Sequence, residues 1–135
     1  MKEQLLTTLE NSRNYTLAVA AAMPSDKFSF KPAEEVWNFG ELLQHIGYGI
    51  HWWEENFIKN KKTEWAPPAV VTTKHKIIEY LDKAYDSVKE TISKKNLPED
   101  SVKGFHATID HITHHRGQAV LHLRLQGITP PEYVY

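Results

Sequence analysis

The spacing of apolar residues constrains the fold most, and it is clearest between residues 73 and 95. The apolar stripe of this segment steps along the chain by three and four: Ile78, Leu81, Tyr85, Val88 and Ile92. Such spacing places the side chains on one face of an α-helix. Three other segments have helical patterns, and none alternates like a β-strand over a useful length. The sequence therefore predicts an all-α protein.

Four helices are predicted, over residues 2–22, 38–60, 73–95 and 104–126. The second begins with a pattern typical of a capping box, in which Asn38 is the cap and Glu41 reaches back. Gly127 and the prolines that follow it end the fourth. Helices of about twenty residues favour a four-helix bundle, here one domain over residues 1–135. The longer connections leave room for a crossover.

Charge and composition exclude several classes of function. The 16 Lys and Arg residues nearly balance the 17 Asp and Glu residues, so no basic surface for nucleic acid is expected. No run of eighteen apolar residues predicts a membrane span, and the N-terminus lacks the apolar block of a signal peptide. These features favour a cytoplasmic protein. Because the chain has no cysteine, only histidine and carboxylate side chains are left as metal ligands.

Histidines on two predicted helices indicate a metal site. His111 and His115 are four residues apart, so both lie on one face of the fourth helix and can close on one cation. His45 lies on the second helix. His122 shares the stripe of His111, and His114 can also reach that side. Spacing alone leaves the choice of ligands open.

Other histidines and two glycines have simpler interpretations. His51, His75 and His106 point away from the stripe and are expected to be structural or surface residues. Gly47 and Gly49 lie inside the second helix, where glycine costs about 1 kcal/mol relative to alanine. We therefore expect a neighbour to approach the helix closely at these positions.

Three blocks of the sequence carry a resemblance to a known family. They are residues 40–46, residues 111–118 with the run His-Arg-Gly-Gln, and residues 123–131 with their Pro-Pro ending. In order and separation, the blocks resemble the DinB/YfiT-like superfamily across nearly the whole chain. Members are often described as metal-dependent hydrolases. The resemblance implies a four-helix bundle with up-down-down-up topology and a crossover connection, and it also implies a homodimer.

The resemblance further implies one divalent metal ion held by His45, His111 and His115. Zinc and nickel are the foremost candidates, and iron or manganese would also accept imidazole ligands. If the second and fourth helices are antiparallel, the predicted start of the second lies beside the predicted end of the fourth. His45 is then expected to lie opposite a residue nearer His122. His122 is therefore the reserve ligand.

Three neutral imidazoles would leave the cation its full charge and at least one position for water, whose pKa zinc can lower to about 7. Gln118 and Glu41 are candidates to orient the ligating rings, although a capping role for Glu41 is equally expected. Ile112 follows the first histidine of the pair, so the built-in base of the metalloprotease helix is missing. Peptidase activity is not expected.

Two classes of function follow from this site. The first is a divalent-metal-dependent enzyme that acts on a small molecule, by hydrolysis or by transfer of a thiol. Since the chain has no cysteine, a low-molecular-weight thiol would have to come from outside. The alternative is a non-catalytic, metal-stabilised helical module that binds a small ligand or has a role in the response to stress. In the plainest interpretation, the histidines are only core and surface residues of a bundle.

Neighbours of the motif complete the predictions. Arg116 is expected to pair with a carboxylate across the bundle. Gly117 is expected to be a packing glycine, with a gap for substrate as the alternative. The four tryptophans are candidates for the mouth of a pocket, although the stripe position of Trp53 favours the core: Trp37, Trp52, Trp53 and Trp65.

Overall fold

The computed structural model of the protein describes residues 1–71 and 73–133. Within these ranges there are four long α-helices and no β-strand, so the prediction of an all-α, four-helix protein is confirmed. A short 3-10 turn, Ser25–Lys27, follows the first helix. The long helices are α1 (Lys2–Ala22), α2 (Phe39–Trp53), α3 (Lys74–Lys94) and α4 (Glu99–Leu125).

The start of α2 is fixed by the predicted capping box. The backbone N–H of Glu41 donates to the Asn38 side chain at 2.8 Å, and the Glu41 carboxylate accepts from the Asn38 N–H at 3.0 Å. Two N–H groups that the helix itself cannot satisfy are thereby paired. This cap sets the level at which the rest of α2 meets its neighbours.

The end of α2 differs from the prediction of one helix over 38–60. The α-helix ends at Trp53 and continues as a π-helical turn, Glu54–Ile58. This turn buries the Glu54 carboxylate, which accepts hydrogen bonds from the hydroxyls of Ser87 and Thr91 on α3. Tertiary contacts thus decide the path of the chain here, and no local signal in the sequence announces them.

The fourth helix begins at Glu99, five residues before the predicted start at 104. Pro98 occupies its N-cap, and two carboxylates follow in the first turn, where the positive end of the helix dipole favours them. At the other end, Gly127 has a φ of +73° and the N–H of Ile128 bonds back to the carbonyl of Leu123. The predicted glycine stop is confirmed.

Contacts between the helices define how they are arranged. Lys2 reaches the carbonyl of Ser93 and Lys74 reaches that of Ala21, so α1 and α3 run antiparallel. Asn60, just beyond α2, contacts Ser101 near the start of α4, while Trp37, just before α2, contacts His122 near its end. These two helices are also antiparallel.

The helices α2 and α3 run in the same direction. Gly40 lies against Ile77 at one end, and Glu54 lies against Thr91 at the other. The segment that joins α2 to α3 therefore has to return along the bundle, and it lies over one face of α2. Gly47 permits this pair to pack closely, since a Cβ there would stand 2.7 Å from Cδ2 of Tyr80. The predicted close approach at Gly47 is confirmed.

The core is formed by the apolar faces of all four helices. Its largest fully buried side chains include Tyr85, Phe39 and Phe105, which come from three different helices. Among residues 1–71 and 73–133, no helix has the combination of length and hydropathy that a membrane crossing requires.

Candidate metal centre

Three histidines converge between α2 and α4. His45 comes from α2, and His111 and His115 come from α4; one ring nitrogen of each lies within 4.8 Å of the others. The Nε2 atoms of His45 and His115 are 3.2 Å apart. Two ligands of a tetrahedral zinc ion with bonds near 2.0 Å are separated by roughly 3.3 Å. The described residues contain one group of this kind, so this cluster is the candidate metal centre.

Gly49 makes room for His111. It lies one turn after His45 on α2, and a Cβ at this position would overlap with the His111 ring. The ring therefore rests against the bare backbone of α2, which brings its nitrogens close to those of His45. The predicted close approach at Gly49 is confirmed, and the group that approaches is the ring of His111.

The electrostatics of the cluster keep two of its rings neutral. Burial lowers the pKa of His45 to about 4, and the neighbouring His115 adds to this effect. Burial, followed by the other histidines, lowers the pKa of His111 to about 4 as well. At neutral pH these rings keep a lone pair that a metal ion can use.

One nitrogen of the cluster has no partner in the protein. Nδ1 of His111 is buried and makes no hydrogen bond among the described residues. A buried polar atom without a partner costs about 1–3 kcal/mol. A cation bound at Nδ1 would relieve that cost, so the donor set fits a divalent metal ion.

Gln118 lies where the sequence predicted an outer partner. Its Oε1 is 2.9 Å from Nδ1 of His115, which places the proton of a neutral His115 ring on Nδ1. The lone pair on Nε2 then faces His45. Glu41, the other candidate, makes the capping bond to Asn38, which is the alternative role expected for it, and no hydrogen bond to a histidine among the described residues.

His122, the reserve ligand, lies outside the cluster. Its Nδ1 is 2.8 Å from the carbonyl oxygen of Gln118, and its Nε2 is 3.1 Å from that of Trp37. Trp37 precedes the start of α2, and it contacts His122 near the end of α4. The last turn of α4 therefore extends past the start of α2. This overhang brings His45 level with His115 and explains why simple matching of predicted helix ends failed.

Aromatic rings surround the three histidines. The ring centroids of Trp37 and Trp65 lie 4.3 Å and 5.7 Å from that of His45. Trp53 stacks on His111 with an interplanar angle of 27°. Trp53 is partly exposed, so its assignment to the core is wrong. Sequence reasoning did not connect Trp37 and Trp65 to His45, although two tryptophans in otherwise polar connections were a usable signal.

Two cavities open beside the cluster, and Trp37 lines both. The His45 chamber has a volume of about 430 Å³ and is lined mainly by aromatic and apolar side chains, with one amide and one carboxylate: Trp37, Glu41, Gln44, Tyr48, Trp65, Pro67 and Val70. The His115 chamber, of about 410 Å³, is lined by Trp37 together with Val36, Leu42, Gln118, Leu121 and His122. No fourth described side chain completes the ligand set, so small molecules can approach the three histidines.

The remaining sequence predictions near the motif have mixed outcomes. His51, His75 and His106 are exposed, as expected. Arg116 is buried and donates to the carbonyl of Ser12 on α1. It has no carboxylate partner among the described residues, so the predicted ion pair is wrong. Gly117 is exposed and a Cβ there would meet no atom within 4 Å, so its assignment as a packing glycine is also wrong.

A helical bundle with an open cluster of three histidines defines a class of metal-site proteins, and comparisons with known proteins identify the family. The sequence profile of the DinB superfamily matches residues 8–119, which is most of the chain. The chain therefore belongs to the DinB superfamily.

Solved structures of two DinB-like proteins share this fold. One, from Bacillus cereus, aligns with a TM-score of 0.78 at 20% identity and covers 98% of this chain and 97% of its own. The other, YjoA from Bacillus subtilis, aligns with a TM-score of 0.70 at 22% identity and covers 96% of this chain and 97% of its own. No curated protein sequence matches the chain significantly.

Proposed function

We propose that this protein is a divalent-metal-dependent enzyme that acts on a small molecule. The observation that supports this proposal is an incomplete ligand set beside two cavities. Three histidine donors converge, no fourth described donor joins them, and the His45 and His115 chambers both reach them. Structural metal sites are usually closed by four protein ligands, whereas catalytic sites keep a position for water or substrate.

The ligands in this proposal are His45, His111 and His115. Zinc or nickel suits such a set best, and iron or manganese is also accepted. Bound there, the cation would act as a Lewis acid that lowers the pKa of water or of a thiol. Gln118 would hold His115 in the tautomer that ligates through Nε2, and Trp53 would fix the plane of His111.

Between hydrolysis and thiol transfer, two features favour transfer. No carboxylate belongs to the histidine cluster among the described residues. The Glu41 carboxylate lines the His45 chamber but takes part in the helix cap, so it is not dedicated to taking a proton from water. A thiol, with a pKa near 8.5, gives up its proton far more readily than water. Two chambers also suit two organic reactants, whereas hydrolysis needs one. The thiol would be a low-molecular-weight cosubstrate, since the chain has no cysteine.

Metal content tests the ligand assignment. The protein, purified without a histidine tag and incubated with zinc, is expected to retain about one ion per chain after gel filtration. His45→Ala is expected to lose it, because two imidazoles from one helix do not enclose a cation. His106→Ala removes an exposed histidine of α4 and serves as the matched control. Retention of stoichiometric zinc by His45→Ala would rule out this ligand set.

Turnover tests the class of enzyme. The zinc-loaded protein is assayed on a panel of small electrophiles and esters, with and without an added thiol. Consumption that requires both the thiol and His45 supports transfer, and consumption in water alone supports hydrolysis. If zinc binds stoichiometrically and neither condition gives turnover across the panel, the non-catalytic ligand-binding module becomes the better assignment.

A further inference from the structure

The segment between α2 and α3 is held over the metal centre by one face of α2. Gln44 pairs with this segment through both ends of its amide: its Nε2 donates to the carbonyl of Ala69 at 2.9 Å, and its Oε1 accepts from the N–H of Val71 at 2.8 Å. An amide that pairs twice with an irregular stretch of backbone replaces the hydrogen bonds that a strand or helix would supply.

Two more residues on the same face continue this attachment at four-residue spacing. The hydroxyl of Tyr48 accepts from the N–H of Ala66 at 2.8 Å, and the indole N–H of Trp52 donates to the carbonyl of Thr63 at 3.2 Å. The three anchors lie on successive turns of α2. The segment is therefore positioned at several points along its length, although its described residues form no helix.

These anchors engage two uncharged polar side chains that line the His45 chamber, Gln44 and Tyr48. Both ends of the Gln44 amide are paired, and Tyr48 already accepts a hydrogen bond. The walls that remain are the faces of Trp37 and Trp65 together with Pro67 and Val70. The one charged side chain in the lining is Glu41, and its cap bond to Asn38 occupies one carboxylate oxygen.

The tryptophans of this chamber leave much apolar surface uncovered. Trp65 is 47% exposed and Trp37 is 45% exposed, even though both lie against His45. Trp65 packs edge-on against Tyr48, with ring centroids 4.7 Å apart, so its orientation is fixed. Exposed apolar surface beside a donor cluster is typical of a ligand site.

We infer that the His45 chamber binds an uncharged, ring-bearing part of the substrate. The volume of about 430 Å³ is within the usual range of small-molecule pockets. Away from the three histidines, an anionic group would meet the Glu41 carboxylate, and in the metal-loaded protein a cationic group would meet the charge of the metal ion. An apolar ring meets neither cost and gains contact with two indoles. That this ligand is a substrate rests on the proposed function; the preference of the chamber does not.

Isothermal titration with three matched probes tests this inference: phenylpropanol, phenylpropionate and phenylpropylammonium. The full chain is titrated both after treatment with a chelator and after loading with zinc. On the chelator-treated protein, phenylpropanol is expected to bind at least about fivefold more tightly than phenylpropionate, which the Glu41 carboxylate repels. On the zinc-loaded protein, it is expected to bind at least about fivefold more tightly than phenylpropylammonium, which the metal ion repels. Equal affinities for the three probes, or no saturable binding of phenylpropanol, would overturn the inference.

Variants assign the binding to this chamber. Trp65→Ala is expected to weaken phenylpropanol binding about tenfold, and Trp65→Phe to restore it to within about threefold. Leu121→Ala, which trims a comparably exposed apolar wall of the His115 chamber, should change it less than about twofold. The reverse pattern, with Leu121→Ala as the weaker binder, would place the ring elsewhere and overturn the assignment. Circular dichroism checks that each variant folds.

This test separates the inference from the proposed metal function. Stoichiometric zinc that depends on His45, without any preference for phenylpropanol, would contradict the inference alone. Binding of phenylpropanol that depends on Trp65, in a protein that retains no zinc, would contradict the proposed function and leave the chamber assignment standing.

Discussion

Two polar clusters of this protein, one buried and one half-buried, differ in how completely their groups are paired. The first, which we call the hydroxyl cluster, joins α1, α3 and α4 through Ser12, Thr16, Tyr85 and Arg116. The second is the histidine cluster between α2 and α4. Both place side chains with hydrogen-bonding capacity between packed helices, where a polar group without a partner costs free energy.

The hydroxyl cluster is satisfied from within the protein. The Tyr85 hydroxyl lies 2.9 Å from the hydroxyls of both Ser12 and Thr16, and Arg116 donates to Thr16 as well. The guanidinium also lies 4.8 Å from the ring centroid of Tyr15. Burial raises the pKa of Tyr85, so its hydroxyl stays neutral. Such a network stabilises a particular packing of three helices.

The histidine cluster is left with one unsatisfied nitrogen. Nδ1 of His111 has no partner, and burial lowers the pKa values of His45 and His111 to about 4, so neither ring carries a proton that could serve as a second donor at neutral pH. The comparison teaches that polarity and burial alone do not identify a functional site. Unused lone pairs that converge beside open cavities do.

The largest expected effect follows from Gly49→Ala. A Cβ at position 49 overlaps with the His111 ring, so the ring must leave its position against α2. We expect zinc affinity to fall about 1,000-fold, or about 4 kcal/mol, because one of three ligands is displaced. Competition with a chromogenic chelator measures this loss.

Gly117→Ala is the matched control for that experiment. This glycine lies on α4 next to the motif, and a Cβ there meets no atom within 4 Å. The substitution should leave zinc affinity unchanged and raise the free energy of unfolding by about 0.5–1 kcal/mol, since alanine favours helix more than glycine does. Equal losses of zinc from both variants would show that the contact with Gly49 is not what positions His111.

Acid should destabilise the metal-free protein through the histidine cluster. An unfolded histidine takes up its proton near pH 6.5, whereas His45 and His111 in the folded protein do so near pH 4. Between these values the unfolded state binds more protons, so stability falls as the pH is lowered through this window. We expect a loss on the order of 3 kcal/mol, since both rings are partly open to solvent.

Urea unfolding of chelator-treated protein at several pH values between 6.5 and 4 measures this slope. A double variant with His45→Gln and His111→Gln should lose less stability over the same window, because glutamine does not titrate. Parallel curves for the two proteins would show that other groups account for the acid sensitivity.

Tyr85→Phe tests the hydroxyl cluster. Ser12 then loses its side-chain partner while remaining buried, and Thr16 keeps only its bond from Arg116. We expect the free energy of unfolding to fall by about 1.5 kcal/mol, with zinc affinity unchanged. A variant that unfolds as the wild type does but binds zinc more weakly would reverse the roles that we assign to the two clusters.

Gln118→Ala should have the smallest effect. It removes the acceptor that fixes His115, and changes of this kind lower metal affinity about 10- to 100-fold. Because Gln118 is exposed and water can replace its oxygen, we expect the low end, about tenfold, or about 1.4 kcal/mol. Gln118→Glu keeps an acceptor and should remain within about threefold of the wild type.

Local patterns in the sequence predicted the helices well because their causes are local. Helix α1 has the predicted bounds 2–22, and α3 differs from the prediction by one residue at each end. The capping box at Asn38 and the stop at Gly127 depend on neighbouring residues alone. The π-helical turn was missed because its buried carboxylate, Glu54, finds its partners on another helix.

Side-chain partners across the bundle were harder to predict. Arg116 was expected to meet a carboxylate and instead meets a carbonyl, a hydroxyl and an aromatic ring, because α1 presents these groups at its level. Gly117 was expected to pack and faces solvent. Both errors concern which groups of a neighbouring helix lie opposite the residue. The sequence around that residue does not contain this information.

The sequence by itself determined four helices, the absence of thiol ligands, and the pair His111 and His115 on one helical face, because periodicity and composition are properties of a segment. Only the tertiary structure decided that His45 joins them while His122 does not. That choice depends on how far α4 extends past the start of α2. His115 and His122 are seven residues apart, so a shift of about two turns, roughly 10.5 Å, separates the two outcomes, and packing between the helices sets it.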